Sequence, residues 1–130
     1  MAQILVIDDD DVQRMAIVHI LRNQGYDVLD TASGQTALRL LNEQSIPLVV
    51  TDILMPDFDG IELIRKMRHS HAGSKIIAMS SGGWSDPDQF LGMAQRLGAD
   101  ATFAKPFRWD EFLGTIGRFL EPGKTGGRMP

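Results

Sequence analysis

The sequence predicts an α/β fold: one doubly wound sheet of five parallel strands, with five helices distributed over both faces. Two observations predict it. Short continuous apolar runs, too brief for helices, recur along the chain and break at acids, small residues or a Lys-Pro pair. Between them lie stretches with apolar residues near helical spacing, opened by capping residues and closed by glycine. Strands alternating with helices in this way build a parallel sheet, because each parallel connection needs a crossover long enough to hold a helix.

Taken in order, residues 3–7 read as a buried first strand that breaks at Asp8-Asp9-Asp10-Asp11. A first helix follows over residues 12–23, with Val12, Met15, Ala16, His19 or Ile20 and Leu21 near helical spacing and Gly25 as its left-handed stop. Asp10 and Asp11 fall at its N-terminus, where the helix dipole favours negative charge. Residues 26–31 alternate as a second strand, and Ser33 caps a helix carrying Ala37, Leu38 and Leu41. Pro47 opens the third strand, which ends on Asp52, and Pro56 to Gly60 supply the turn that stops it. Ile61, Leu63, Ile64 and Met67 mark the third helix, and residues 75–79 the fourth strand. Asp86-Pro87 start a fourth helix bearing Phe90, Leu91, Ala94 and Leu97, which Gly98 closes. Residues 101–104 form the fifth strand, and Trp109, Phe112, Leu113, Ile116 and Leu120 a last amphipathic helix weakened by Gly114 and Gly117.

At 130 residues the chain has room for one domain with its own core and no second one. Residues 1–121 are read as that domain, and 122–130 as a tail with almost nothing to bury, expected to be disordered. A formal net charge of −4 and the absence of a basic cluster argue against nucleic acid as a partner. With no cysteine, disulfides, zinc–thiolate sites and thiol catalysis are excluded. The start MAQILVIDDD lacks the basic, then apolar, layout of a signal peptide, and no apolar run reaches membrane-spanning length. A cytoplasmic protein is expected.

In such folds the ligand site lies at the carboxyl ends of the strands, so the residues there can be compared directly. The first strand ends on Asp8 and Asp9, the third on Asp52, the fourth on Ser80 and the fifth on Lys105. Carboxylates brought close repel one another, so the folded site needs a compensating cation. Oxygen donors without His or Cys suit Mg²⁺. Beside such an ion an aspartate can act as nucleophile toward a phosphoryl group and form an acyl phosphate, while a lysine ammonium offsets the developing charge. Asp57 and Asp59 are read as turn residues, and no chemistry is assigned to His19, His69 or His71.

The acidic pair in ILVIDDD, the central TDILMPDFDG, the hydroxyl after IIAM and the closing AKPF, in this order and each at a strand end, resemble the receiver domains of two-component response regulators. The resemblance spans Gln3 to about Leu120 and implies a stand-alone receiver with a flavodoxin-like fold of strand order 2-1-3-4-5. It implies phosphorylation at Asp52, and Mg²⁺ (or Mn²⁺) held by Asp9, Asp52 and the Leu54 carbonyl, with Asp8 in the inner or outer shell. It further implies that Lys105 bonds the phosphoryl group, that Ser80 is the conformational switch, and that the bond to Pro106 is cis. The donor would be a sensor histidine kinase or a histidine phosphotransfer protein.

Two departures from the family pattern bear on behaviour. Where many receivers carry an aromatic residue three positions before the lysine, this chain has Thr102, and Phe103 points to the other face by the strand's period of two. After Ser80 come Ser81, Gly82, Gly83 and Trp84, a loop with unusual backbone freedom. Trp84 packs on the fourth helix, covers the opening or binds a partner, and signalling is expected to involve rearrangement of this loop. Neither Leu54 nor Gly82 offers a side chain to orient an attacking water, so slow self-dephosphorylation is expected.

The function expected is that of a phosphoacceptor response regulator, not an enzyme, that assists its own phosphorylation and dephosphorylation. It is expected to be monomeric, with no membrane partner, and to signal to a downstream protein through the face of the fourth helix, fifth strand and fifth helix. Alternatives are a receiver segment of a larger hybrid kinase or transcription factor, and a small Mg²⁺-dependent phosphatase with an aspartyl nucleophile. Leu54 stands against the phosphatase, which needs a second acid at that position.

Overall fold

The computed structural model describes residues 3–55, 58–70, 73–80 and 87–120. In chain order the elements are β1 (Ile4–Ile7), α1 (Asp11–Asn23), β2 (Val28–Thr31), α2 (Gly34–Glu43), β3 (Leu48–Asp52), β4 (Leu54–Met55), β5 (Phe58–Asp59), α3 (Gly60–Ser70), β6 (Lys75–Ser80), α4 (Pro87–Leu97), β7 (Ala101–Ala104) and α5 (Trp109–Leu120). Five strands make one sheet in the order β2-β1-β3-β6-β7, every pair parallel. Counting only those strands the order is 2-1-3-4-5, the flavodoxin-like arrangement expected.

The alternation of side chains along each strand splits the interior into two cores. Leu5, Ile7, Val49, Ile76 and Ala78 face Ala37 and Leu41 of α2, Leu63, Ile64 and Met67 of α3, and Ala94 of α4. Ile4, Val6, Leu48, Val50, Ile77 and Met79 face Ile17, Val18 and Leu21 of α1 and Phe112 and Ile116 of α5. The central strands β1 and β3 are buried along their whole length, so water reaches the sheet only at its strand ends and outer edges. A polar group at a strand end is therefore placed by a frame that moves little.

Capping follows the sequence. Asp10 accepts hydrogen bonds from the backbone of Val12 at 3.0 Å and Gln13 at 3.2 Å, and Ser33 accepts from Thr36 at 3.2 Å. Gly98 takes a φ of +132°, as the left-handed stop of α4 requires.

Two expectations need correction. The stripe read from Val12, Met15 and Ala16 does not face the sheet: Val12 is 80% and Met15 65% exposed, and the buried residues of α1 are Ile17, Val18 and Leu21. The Asp10 cap fixes where the helix starts, and with that start the sheet-facing positions are 14, 17, 18 and 21, a three-one-three spacing that begins on an arginine. The segment after Asp52 is also more than a turn. Leu54–Met55 pairs antiparallel with Phe58–Asp59, a small hairpin that returns the chain to the start of α3. Residues 1, 2, 56, 57, 71, 72, 81–86 and 121–130 lie outside the described residues, and with them the expectations for Pro56, Asp57, His71, Ser81, the Gly82 to Trp84 loop, the Asp86 cap and the tail.

Candidate functional site

The parallel register brings the carboxyl ends of four strands level. Ile7 pairs with Thr51, Asp52 with Met79, and Ser80 with Ala104, so the residues that follow or end these strands share one edge. Asp8 is pinned to β2 by its backbone N–H, which donates to the Thr31 carbonyl at 3.2 Å. Lys105 is pinned to β6 in the same way, donating from its backbone to the Ser80 carbonyl at 2.8 Å. The Lys105–Pro106 bond is cis, as the resemblance implied.

On this edge the side chains converge. Asp8 is fully buried, and Asp52 and Ser80 are nearly so. Lys105 Nζ donates to Asp8 Oδ2 at 2.9 Å and to Asp52 Oδ2 at 3.0 Å, with only 6% of its side chain exposed. The other oxygen of Asp8 accepts from the Asp10 backbone at 3.0 Å. Asp9, next in the chain, is exposed. Asp8, Asp9 and Asp52 each bring a carboxylate oxygen within 4.8 Å of the others.

Charge is unbalanced in this cluster. Burial alone would lower the Lys105 pKa, but the Asp8 hydrogen bond and the charges of Asp52 and Asp8 outweigh it, and the ammonium is held above its ordinary value. Among the described residues one ammonium faces this cluster of three carboxylates. The excess negative charge, on oxygen donors alone, is the composition that attracts a hard divalent cation.

The surroundings fix the backbone of Asp52. Thr51 Oγ1 donates to the Asp52 carbonyl at 3.0 Å. Gly60 opens α3 directly against this strand end: a Cβ there would run into the Ile53 Cα and lie 2.8 Å from the Asp52 carbonyl oxygen. Beyond Lys105, the rings of Phe103, Phe107 and Phe112 stack with centroids 4.8 to 5.6 Å apart, tying the loop after β7 to α5.

Of the residues singled out from sequence, the structure thus brings Lys105 into contact with Asp8 and Asp52, sets an Asp9 carboxylate oxygen within 4.8 Å of theirs, and places Ser80 at the end of the neighbouring strand. Leu54 lies in β4, two residues past Asp52. Thr102 is half-buried and pairs with Ala78, and Phe103 packs on the α1 and α5 side, the opposite face as expected. Pro106 is exposed. Asp10 and Asp11 serve as cap and first-turn acid of α1, as read. Sequence reasoning passed over Arg14, whose Nη1 donates to the Asp8 carbonyl at 2.8 Å. Periodicity carried no signal for it, because the buried stripe of α1 that Arg14 heads is set by where the helix begins.

Comparison with known proteins agrees with this geometry. The family described as "Response regulator receiver domain" matches residues 4–116. Sporulation initiation phosphotransferase F of Bacillus subtilis is 30% identical over 118 residues, covering 91% of this chain and 93% of that protein. Sensor kinase CckA of Brucella abortus is 37% identical over 125 residues, covering 92% of this chain and only 13% of that much longer protein. A crystal structure of a response regulator receiver domain protein from Clostridium thermocellum superposes with a TM-score of 0.84 at 27% identity, covering 96% of this chain and 98% of that one. Among the described residues no helix is long and apolar enough to cross a membrane. The chain belongs to the response regulator receiver domain family.

Proposed function

We propose that this chain is a phosphoacceptor whose acceptor is Asp52, charged by a histidine-bound phosphoryl group on a sensor kinase or phosphotransfer protein. The observation that carries it is the Asp52 carboxylate at a strand end, 3.0 Å from a buried ammonium and within the three-carboxylate cluster. An Asp52 carboxylate oxygen attacks phosphorus, a P–O bond forms, the P–N bond to the donor histidine breaks, and its electron pair stays on the imidazole. Lys105 passes from the Asp52 carboxylate to the phosphoryl oxygens, and the Ser80 hydroxyl donates to the same group. Asp8, Asp9, Asp52 and the Leu54 carbonyl would hold Mg²⁺ or Mn²⁺. When bound, the ion offsets charge on the carboxylates and on the incoming phosphoryl group.

The protein is a switch rather than an enzyme acting on a separate substrate. Replacing a carboxylate by an acyl phosphate beside Ser80 and Lys105 changes charge and hydrogen bonding, which biases the surface of α4, β7 and α5 toward a downstream protein. Thr102, half-buried on β7, Pro106 and the Ser81 to Trp84 segment belong to that response. A cytoplasmic location fits a partner kinase. The low coverage of the sensor kinase relative supports a second setting, a receiver segment within a larger signalling protein.

Incubation with acetyl phosphate and Mg²⁺, followed by intact mass, tests the proposal. Wild type gains one phosphoryl group and Asp52→Asn does not; an unmodified wild type overturns it.

A further inference from the structure

Arg14 sits on the sheet-facing stripe of α1, one helical turn before Ile17 and Val18, with only 14% of its side chain exposed. Its guanidinium is used in three directions. Nη1 donates to the Asp8 backbone carbonyl at 2.8 Å, Nε to Asp30 Oδ2 at 2.9 Å and Nη2 to Asp11 Oδ1 at 2.7 Å. Asp30 lies on the edge strand β2 and Asp11 in the first turn of α1. The planar fork therefore joins β2, α1 and the peptide that links Asp8 to Asp9.

That peptide decides where Asp9 points. The Asp8 side chain is already fixed from both of its oxygens, by the Asp10 backbone and by Lys105. Asp9 is exposed, and its direction rests on the orientation of the plane between residues 8 and 9. The Asp8 carbonyl in that plane is held by Arg14. Lysine, a point donor on a flexible stem, cannot reproduce three directed bonds at once.

We infer that Arg14 is a positioning residue for the cation site: by holding the Asp8 carbonyl against β2, it aims the Asp9 carboxylate at Asp8 and Asp52. This rests on the reading of those three acids as cation ligands. Charge alone predicts the opposite effect, because removing a cation near a cluster of acids strengthens cation binding. Partners that orient metal ligands are commonly worth tenfold or more in affinity.

The test is Mn²⁺ binding to the full chain, followed by loss of the free-ion paramagnetic resonance signal, for wild type, Asp9→Asn, Arg14→Met and Arg14→Lys. Thermal unfolding is run in parallel, so that affinity is compared only among folded proteins. The inference expects both Arg14 variants to bind Mn²⁺ roughly tenfold more weakly than wild type. Should Arg14→Met fail to fold, Arg14→Lys, which keeps the charge, decides. Unchanged or tighter binding, or full recovery by Arg14→Lys, overturns the positioning role. If wild type and Asp9→Asn bind alike, the cation reading itself fails, and the inference falls with it by a separately recognisable result.

Discussion

Lys105 carries two opposed duties at the scale of the single residue. It neutralises Asp8 and Asp52 at 2.9 and 3.0 Å, and under the proposed function it must also be available to an arriving phosphoryl group. Removing one member of a buried ion cluster leaves uncompensated charge, so Lys105→Met should lose about 3 kcal/mol of stability in chelator. Because a ligand that binds only the folded state stabilises it, Mg²⁺ should restore part of that loss, as denaturant unfolding with and without the ion would measure. The pH dependence has a definite sign. A lysine whose pKa rises on folding contributes stability that is fully present below its ordinary value of 10.5 and lost as pH climbs through the higher folded value. Wild type should show that alkaline fall, and Lys105→Met should lack it. That these groups meet was legible in the sequence because each ends a strand of one parallel sheet. Arg14 was not, because its identity as a buried residue depends on where α1 begins.

Among the elements, α1 and α3 show how local sequence underdetermines orientation. The spacing of Val12, Met15 and Ala16 is helical, but so is that of Ile17, Val18 and Leu21, and periodicity alone does not choose between faces. Burial against the sheet chose the second set, leaving Val12 and Met15 exposed. The β4–β5 hairpin escaped notice because two-residue strands carry no periodic signal. Glycines separate packing from propensity. Gly60→Ala would drive a methyl group into the backbone of Ile53 and Asp52, and should cost about 1–3 kcal/mol and slow phosphorylation by shifting the strand end. Gly114→Ala in α5, where a Cβ meets open space, should instead stabilise by about 0.5–1 kcal/mol. Equal effects of the two changes on melting temperature would contradict this account of how α3 seats the acceptor.

Across the whole molecule, the alternation of strands and helices was enough to predict a parallel sheet covered on both sides, and right-handed crossovers then limit how it can be wound. The order of strands did not follow from periodicity, which describes each element alone; it came with the motif resemblance and is the order observed. Between its two cores the rigid sheet holds four strand ends level, so groups far apart in sequence, such as Asp8 and Lys105, meet at one edge. That rigidity suits a switch whose input is a change at one carboxylate and whose output is a shifted surface.

The most direct test of the central claim is to phosphorylate the full chain with acetyl phosphate and Mg²⁺, reduce it with borohydride, and sequence its peptides by mass spectrometry. Reduction converts an aspartyl phosphate to homoserine, so the account predicts homoserine at position 52 and unaltered aspartate at positions 8 and 9. Homoserine at another aspartate, or none anywhere in a folded and Mg²⁺-loaded protein, would contradict it.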